Sequence, residues 1–519
     1  MLEKAPQGPA TDRLGVLADV VEAGAGRATA DHARLLRRDT TLWPPPDSVT
    51  APWLGWLDSL ERAERHLEVI VPLADGLVAD GIAHVVLVGM GGSSLFPMVL
   101  AGACGGAPGR PTLHVLDSTD PAAVARIEQQ VDWSRTAVVA ASKSGTTVET
   151  LAHLDRFVSL LADSVGSAAH SRVVVITDPG GPLDVRAAAD GFRARVHGDP
   201  DVGGRYSALS PFGLLPAALL GVDLQGLLGH ARVAAVSWVE DPWSGAGPAR
   251  LATLLARGVE QGRDALHLLI DERAGMLGAW IEQLVAESSG KDGKSVLPVV
   301  VSSVDDVIAD ARAIVVGIGD GEGLDALAAR GVPVLSIPWS GGEHLGAEAL
   351  RWMQAVPLAC AQLGVDPFDQ PDVAAAKAAT VAALTEGSEP DRAVPVASLD
   401  AAFTEAGYVA LLAYVDPEGD IAGQLDRMAH ALSRRHGLPV TVGLGPRYLH
   451  STGQLHKGGR PDGLFLVIVG DDTVDVPIPG RDHGFARLKR AQAAGDLAAL
   501  RAAGRRVAVV APDDPLLAG

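Results

Sequence analysis

The segment Ser142-Lys143-Ser144-Gly145-Thr146-Thr147-Val148-Glu149-Thr150 carries a dense group of hydrogen-bond donors. It follows an apolar run, residues 136–141, that is typical of a buried strand, and it leads into a helical pattern over residues 148–161. Such a turn brings hydroxyls, an ammonium, backbone N–H groups and the positive end of a helix dipole to one point. A phosphate monoester requires this arrangement. The alternative is an ordinary helix cap rich in Ser and Thr.

A second Gly-rich turn, Gly89-Met90-Gly91-Gly92-Ser93-Ser94, also follows a predicted strand. It is similar to the dinucleotide-binding fingerprint but has Ser94 where the third glycine should stand. Its glycines still permit a ligand to approach the backbone closely. Open α/β sheets bind ligands at the carboxyl ends of their strands, so the turn is a candidate binding element. A tight turn without a ligand is the alternative.

A third candidate is Glu287, which follows a helical pattern over residues 275–286 and precedes a Gly-rich turn. A carboxylate in this position is suited to general-base chemistry, although a solvated glutamate is the simpler interpretation. Gly293-Lys294-Ser295, farther along the turn, matches the tail of a P-loop. The leading glycine would have to be at position 288, which is Ser288, and a helix precedes the turn where a P-loop needs a strand. We therefore reject a nucleoside triphosphate site.

Alternating apolar runs and helical patterns predict βαβ units with parallel sheets that are buried on both faces. The predicted strands fall into three series. They are residues 83–88, 113–117, 136–141 and 173–177; residues 266–270, 296–301, 313–316 and 334–337; and residues 408–415, 439–442, 464–469 and 506–510.

These series predict four regions in an α/β protein. Residues 1–75 form an N-terminal helical region, residues 76–240 a first α/β domain, residues 241–385 a second, and residues 400–519 a C-terminal α/β extension. The polar segment 386–391 is the predicted linker before the extension.

Composition excludes several classes of partner. The chain of 519 residues has a formal charge of −20, which argues against nucleic acid or an anionic membrane as the main partner. Its two cysteines, Cys104 and Cys360, cannot form a disulfide framework, and no metal-ligand spacing surrounds them. Residues 1–6 lack the apolar core of a signal peptide, and the uncharged stretch 207–222 is too short to span a bilayer. We therefore expect a cytoplasmic protein.

Five motifs together resemble the glucose-6-phosphate isomerase family, whose members are built of two sugar-isomerase (SIS) domains. In chain order they are residues 89–93, residues 142–150, residues 203–207, Gln283 with residues 287–291, and residues 366–371 with Lys377. The resemblance covers about residues 80 to 380. The whole chain looks most like the actinobacterial-type isomerases, which are similar to the isomerase half of transaldolase–isomerase fusions and carry a comparable C-terminal segment.

The resemblance implies a role for each matching residue. Phosphate would bind Ser142, Lys143, Ser144 and Thr147, and Gly92 and Ser93 would line the sugar side. Arg205 would stabilise a negative enediolate, and Glu287 would move a proton between C2 and C1. Gln283, one helical turn earlier, would share its face, and Lys377 would lie near the ring oxygen.

The chain departs from the family in its ring-opening histidine. Only His344 lies in the usual interval, and its surroundings do not match the family pattern. The C-terminal segment His450-Ser451-Thr452-Gly453-Gln454-Leu455-His456-Lys457-Gly458-Gly459 looks like the missing element. Imidazole is suited to proton transfer to a ring oxygen near neutral pH. We favour His456 and then His450 for this role; a basic surface loop is the alternative.

The resemblance implies an aldose–ketose isomerase of glycolysis and gluconeogenesis that interconverts D-glucose 6-phosphate and D-fructose 6-phosphate through an enediol. It implies no metal and no organic cofactor, and its expected partner is a small sugar phosphate. The resemblance also implies a homodimer or an association with transaldolase. Two alternatives stay open. An isomerase that also accepts mannose 6-phosphate would be recognised by assays with each substrate, and a non-catalytic SIS-domain sensor would bind a sugar phosphate without turnover.

Overall fold

A computed structural model describes residues 13–45 and 53–517, with the side chains of residues 373–377 left out. Within these residues the chain forms three parallel sheets with helices packed against them. The prediction of an α/β protein with parallel sheets is confirmed.

The first sheet has the order β2-β1-β3-β4-β5. Its strands are β1 (His84–Gly89), β2 (Thr112–Leu116), β3 (Thr136–Ala141), β4 (Val173–Thr177) and β5 (Ala194–His197). All neighbours are parallel, and His84 of β1 is in register with both Thr112 and Thr136. Because β2 and β3 lie on opposite sides of β1, the direction of winding reverses between β1 and β3, and a crevice opens there at the carboxyl edge.

The second and third sheets repeat this layout with four strands each. The second has the order β7-β6-β8-β9 and the third β11-β10-β12-β13. Their strands are β6 (Ala265–Ile270), β7 (Leu297–Val301), β8 (Ala313–Ile318) and β9 (Val334–Ile337), then β10 (Tyr408–Tyr414), β11 (Val440–Leu444), β12 (Gly463–Val469) and β13 (Arg506–Val509). Each sheet lies within one of the predicted α/β regions. The exact region boundaries stay predictions.

The helices that connect and flank the sheets are α1 (Ala18–Glu22), α2 (Ala25–Leu36), α3 (Ser59–Ala79), α4 (Leu95–Cys104), α5 (Pro121–Gln130), α6 (Val148–Val165), α7 (Pro182–Asp190), α8 (Pro211–Leu220), α9 (Leu224–Glu240), α10 (Pro248–Glu260), α11 (Leu277–Ser289), α12 (Leu324–Ala329), α13 (Leu345–Leu363), α14 (Pro371–Glu386), α15 (Asp400–Glu405), α16 (Ala422–His436), α17 (Gly453–Gly458) and α18 (Phe485–Ala502).

The sheets are layered because alternate side chains of each strand enter different cores. Val85 of β1 and Leu266 of β6 share one large core, which therefore lies between the first two sheets. Val299 of β7 and Phe465 of β12 share another, between the second sheet and the third. The C-terminal extension is thus packed onto the second domain as part of one body.

The twelve predicted strands are all present, with ends within two residues of those predicted. The sequence analysis missed β5, where only Val196 is buried and Arg195 and His197 interrupt the apolar pattern. The uncharged stretch 207–222 contains α8, all of whose residues are buried. Among the described residues, no helix is both long and apolar enough to cross a membrane.

Candidate active site

The predicted phosphate loop lies at the crevice of the first sheet, between β3 and α6. The hydroxyls of Ser142 and Thr147 lie 2.9 Å apart, as do those of Ser144 and Thr146. Gly145 has φ +69°, a conformation that glycine adopts without strain, and its N–H donates to Ser142 Oγ. Thr147 is the N-cap of α6, so the loop presents hydroxyls at the positive end of an 18-residue helix.

Lys143 of this loop takes part in a different interaction from the one expected. Its ammonium forms an ion pair with Asp178, which follows β4, and donates to the carbonyl oxygens of Asp199 and Pro200 at 3.2 Å. The side chain also lies over the ring of Trp53. Three oxygens already bind this cation, so its visible role is to fix the loop to neighbouring segments.

The Gly-rich turn after β1 is in contact with the other candidate residues. A Cβ at Gly92 would collide with the carbonyl oxygen of Gly204, which immediately precedes Arg205. A Cβ at Gly91 would meet the carbonyl oxygen of His450 and would lie 2.9 Å from the amide nitrogen of Gln283. The close approach of these segments therefore depends on both glycines.

Glu287 lies in the last turn of α11, which extends to Ser289 and not only to residue 286 as predicted. The residue is 5 % exposed. Its Oε1 lies 3.1 Å from Nη1 of Arg205, and its Oε2 accepts a hydrogen bond of 3.1 Å from Gln283. Each carboxylate oxygen thus has one partner, and the residues predicted to act together lie together.

Arg205 also holds the loop that leads into α14. This buried guanidinium donates to the carbonyl oxygens of Pro367 and Asp369. Lys291, beyond the end of α11, donates to the carbonyl oxygen of Asp366 and forms an ion pair of 2.7 Å with Asp369. Burial lowers the pKa of Lys291, and the positive charge of Arg205 lowers it further. Arg205, the cation beside Glu287, therefore has a second cation close to it.

His450 reaches this cluster from the C-terminal extension, which has its own sheet and forms a third domain. Its backbone carbonyl accepts a hydrogen bond of 2.8 Å from Gln283, and its Nε2 lies 3.0 Å from Oε1 of Glu149. A carboxylate only accepts, so Nε2 carries the proton. No hydrogen bond of Nδ1 is found within the described residues, and the side chain is 17 % exposed. Nδ1 is therefore available to a ligand.

Glu149, in the first turn of α6, joins His450 to the phosphate loop. Burial alone would raise the pKa of this carboxyl group, but the charge and hydrogen bond of His450 outweigh burial, and the pKa is lowered. Glu149 is therefore held as a carboxylate beside the imidazole of His450.

His456, the histidine favoured from the sequence, does not reach the cluster. It is 2 % exposed, and its ring packs against Tyr448 and Phe465 in the interior of the third domain. Burial, together with the nearby charges of Lys457 and Arg505, lowers its pKa to about 3. Of the two candidates, His450 and not His456 contacts Gln283 and Glu149.

His344 lies apart from the cluster as well. Its ring lies 4.3 Å, between centroids, from that of His230, and its Nδ1 is 3.1 Å from the hydroxyl of Ser340. It precedes α13. The structure therefore brings only one of the three predicted histidines to Glu287 and Gln283.

The remaining predicted residues differ in how they are placed. Ser93 is buried in the turn after β1. Lys377 lies in α14, but its side chain is outside the described part of the structure. The start of α14 is held near α11 by Gln454, which donates to Asp372 at 2.6 Å and to the carbonyl oxygen of Gly290 at 3.2 Å. The Gly-Gln element of the C-terminal segment therefore connects α14, α11 and the third domain.

The sequence analysis missed residues that fix His450 from other segments. Arg447, three residues before His450, forms a bidentate ion pair with Asp117 at 2.7 and 2.9 Å. Gln492 of α18 donates to Glu149 at 2.7 Å. A single sequence gives no signal for such contacts, because the partners are hundreds of residues apart and no local motif contains both.

Comparison with known proteins agrees with this geometry. The model of the family "Phosphoglucose isomerase" matches residues 67–305. Over these residues the chain is similar to that family. The match includes the Gly-rich turn, the phosphate loop, Arg205 and Glu287. It ends before the third domain begins.

A curated relative, "Glucose-6-phosphate isomerase" of Rubrobacter xylanophilus, is 34 % identical over 290 residues, which are 54 % of this chain and 65 % of the relative. The chain thus spans just under two thirds of that protein. A solved structure of a hypothetical protein from Thermus thermophilus aligns with a TM-score of 0.62 and 27 % identity over 73 % of this chain and 99 % of its own. A glucose-6-phosphate isomerase of Chlamydia trachomatis shows the same fold, with a TM-score of 0.60 and 17 % identity over 72 % of this chain and 87 % of its own.

Proposed function

We propose that the chain interconverts D-glucose 6-phosphate and D-fructose 6-phosphate through an enediol intermediate. The proposal is carried by Glu287, a buried carboxylate that lies between Arg205 and Gln283. Gln283 also donates a hydrogen bond to the backbone carbonyl of His450, so the histidine lies close to this carboxylate. The family match over residues 67–305 supports the same reaction class.

In this proposal the phosphate of the substrate binds the loop after β3. The hydroxyls of Ser142, Ser144 and Thr147 and the N–H groups at the start of α6 supply the donors. Gly92 and Ser93 line the sugar side. Lys143 contributes by fixing the loop, because its ammonium is already bound by Asp178 and two carbonyl oxygens.

His450 opens the sugar ring. Its Nδ1 exchanges a proton with the ring oxygen, while Nε2–H stays hydrogen-bonded to Glu149. This assignment replaces His456, whose ring is enclosed by Tyr448 and Phe465. Lys377 remains a proposed partner near the ring oxygen.

Glu287 then removes the proton from C2 of the open-chain aldose and, as the hydroxyl proton of O2 passes to O1, delivers it to C1 to give the ketose. Negative charge develops on oxygen as the enediolate forms, and the fixed positive charge of Arg205 stabilises it. Nη1 of Arg205 lies 3.1 Å from Oε1 of Glu287, so a fixed cation lies beside the base where the negative charge develops.

Purified protein should convert glucose 6-phosphate to fructose 6-phosphate, measured by a coupled assay, and should exchange the C2 proton with solvent. Binding of the sugar phosphate without turnover would instead support a sensor. Assays with mannose 6-phosphate would define the breadth of substrates. The proposal also includes a cytoplasmic location, a homodimer and an association with transaldolase. Gel filtration of the protein alone tests for the homodimer, and gel filtration with transaldolase tests for the association.

A further inference from the structure

Glu149 receives a second hydrogen bond, from Gln492 of α18. Gln492 is 1 % exposed, and its Nε2 donates to Oε1 of Glu149 at 2.7 Å. The same oxygen lies 3.0 Å from Nε2 of His450. One carboxylate oxygen therefore binds both the histidine and the glutamine.

The amide of Gln492 has only one satisfactory orientation. Its Oε1 accepts a hydrogen bond of 2.5 Å from the hydroxyl of Thr119, a fully buried residue. If the amide were flipped, two acceptor oxygens would face each other at the Glu149 contact, which is unfavourable. Thr119 thus directs the donor of Gln492 toward Glu149.

The helix that carries Gln492 is anchored independently of Glu149. Lys489, one turn earlier on α18 and fully buried, forms ion pairs with Asp120 at 2.9 Å and with Asp472 at 2.5 Å. Asp120 is adjacent to Thr119 in the segment after β2. The position of Gln492 is therefore set by the contact between α18 and the first domain.

We propose that Gln492 and Thr119 are positioning residues that hold Glu149 in place and ionised, so that His450 keeps a fixed orientation and tautomer during ring opening. The inference rests on the proposed function, which assigns ring opening to His450. Two donors on one oxygen restrict the carboxylate, and the bound Nε2–H leaves Nδ1 directed toward a ligand.

The other titratable groups around Glu149 do not keep it ionised in place of His450 and Gln492. His450 faces it from the third domain, His153 lies one turn later on α6, and Tyr414 approaches from β10. Burial lowers the pKa of His153 to about 4 and raises that of Tyr414 well above its ordinary value. Both are uncharged near neutral pH, so the side chains that stabilise the carboxylate are His450 and Gln492, in addition to the backbone N–H of Glu149 itself.

The test compares Gln492→Met, which keeps the length of the side chain but removes the donor, with Thr119→Val, which frees the amide to flip. Gln424→Met on α16 is the matched control, because it removes a glutamine from the third domain outside the cluster. Two reactions are measured: conversion of glucose 6-phosphate, and C2 proton exchange of D-erythrose 4-phosphate in deuterated water. The second substrate has no free hydroxyl that could close a ring.

Gln492→Met should lower kcat for glucose 6-phosphate about tenfold or more, with KM and the exchange reaction changed less than about twofold, since a hydrogen bond to a charged group is lost. The acid limb of its pH–rate profile should move up by about one unit, because Glu149 then accepts a proton more readily. Thr119→Val should show a smaller change in the same direction, and the control none.

Equal losses in both reactions, or an acid limb that does not move in either variant, would overturn the inference, because Gln492 would then act only in packing. Activity of the wild-type protein would still support the proposed function in that case. A wild-type protein that converts no glucose 6-phosphate would remove both proposals together.

Discussion

In the first sheet, the loops after β1 and β3 carry glycines, hydroxyls and a helix N-terminus, whereas the corresponding loops of the second sheet carry carboxylates. The two sheets share one strand order around their first strands, β2-β1-β3 and β7-β6-β8. The second crevice is a cavity of about 1700 Å³ whose lining includes Asp271, Asp320 and Glu322. Equal topology therefore creates two crevices, and the residue types decide which of them suits a phosphate dianion.

Helix α11 shows how the second domain contributes all the same. Glu282 of this helix lines the second cavity, whereas Gln283 lies against the Gly-rich turn of the first domain and donates a hydrogen bond to Glu287. Burial raises the pKa of Glu282 to about 8, with the charge of Arg447 opposing this shift. One helix thus has a face on each crevice. In the proposed mechanism the second domain supplies the base to the first crevice.

Replacing the proposed base, Glu287, should lower turnover more than any other substitution considered. Glu287→Gln keeps the shape of the side chain and its place beside Arg205 but cannot accept a proton. We expect kcat to fall about 10²–10⁴-fold with sugar-phosphate binding largely intact, as steady-state kinetics and isothermal titration calorimetry would measure. A variant that retains more than about a tenth of wild-type kcat would remove Glu287 from this role.

The next effect concerns the third domain. His450→Ala should slow conversion of closed-ring glucose 6-phosphate by about 10²-fold while C2 exchange of an open-chain substrate is retained, because only the first reaction needs ring opening. His456→Leu is the matched control six residues along, and its turnover should stay near that of wild type. A reversed outcome, with His456 required and His450 dispensable, would contradict the geometry.

These two histidines also show where the sequence was sufficient and where it was not. Glu287, Arg205 and Gln283 were predicted because local motifs contain them and those motifs carry the resemblance to the isomerase family. His450 and His456 lie in one motif with the same residue type, and only tertiary packing separates a ring beside Glu149 from a ring enclosed by Phe465. The strands were predictable because both faces are buried, and β5 was missed because its polar residues break that pattern.

Loss of phosphate donors should weaken binding of the substrate more than turnover and should affect only the first crevice. Ser144→Ala combined with Thr147→Ala removes two hydroxyls, and each lost charge-assisted hydrogen bond should cost about 1.5–3 kcal/mol. Affinity for 6-phosphogluconate, measured by calorimetry, should weaken accordingly, while kcat at saturation changes less. Unchanged affinity would place the phosphate elsewhere.

Buried His456 should affect stability in acid and not catalysis. Its pKa is lowered to about 3 in the folded protein. Below about pH 6.5 the unfolded chain therefore binds a proton at this histidine, whereas the folded chain does not. Stability is therefore lost as pH falls from about 6.5, by about 2–3 kcal/mol at pH 4.5 from this residue alone. His456→Leu should show a smaller fall in Tm than wild type between pH 7 and 4.5. An equal fall would mean that the ring is protonated in the fold.

The smallest effect is expected in the second crevice. Asp320 lines it with a side chain that is 79 % exposed, and its nearest cation, Arg273, is also bound by Asp271. A carboxylate repels a phosphate dianion, so removing one at the true substrate site would change KM for a sugar phosphate. Asp320→Ala should instead leave kcat and KM within about twofold of wild type. A clear change in KM would show that substrate reaches this cavity, and the contrast between the two crevices would then fail.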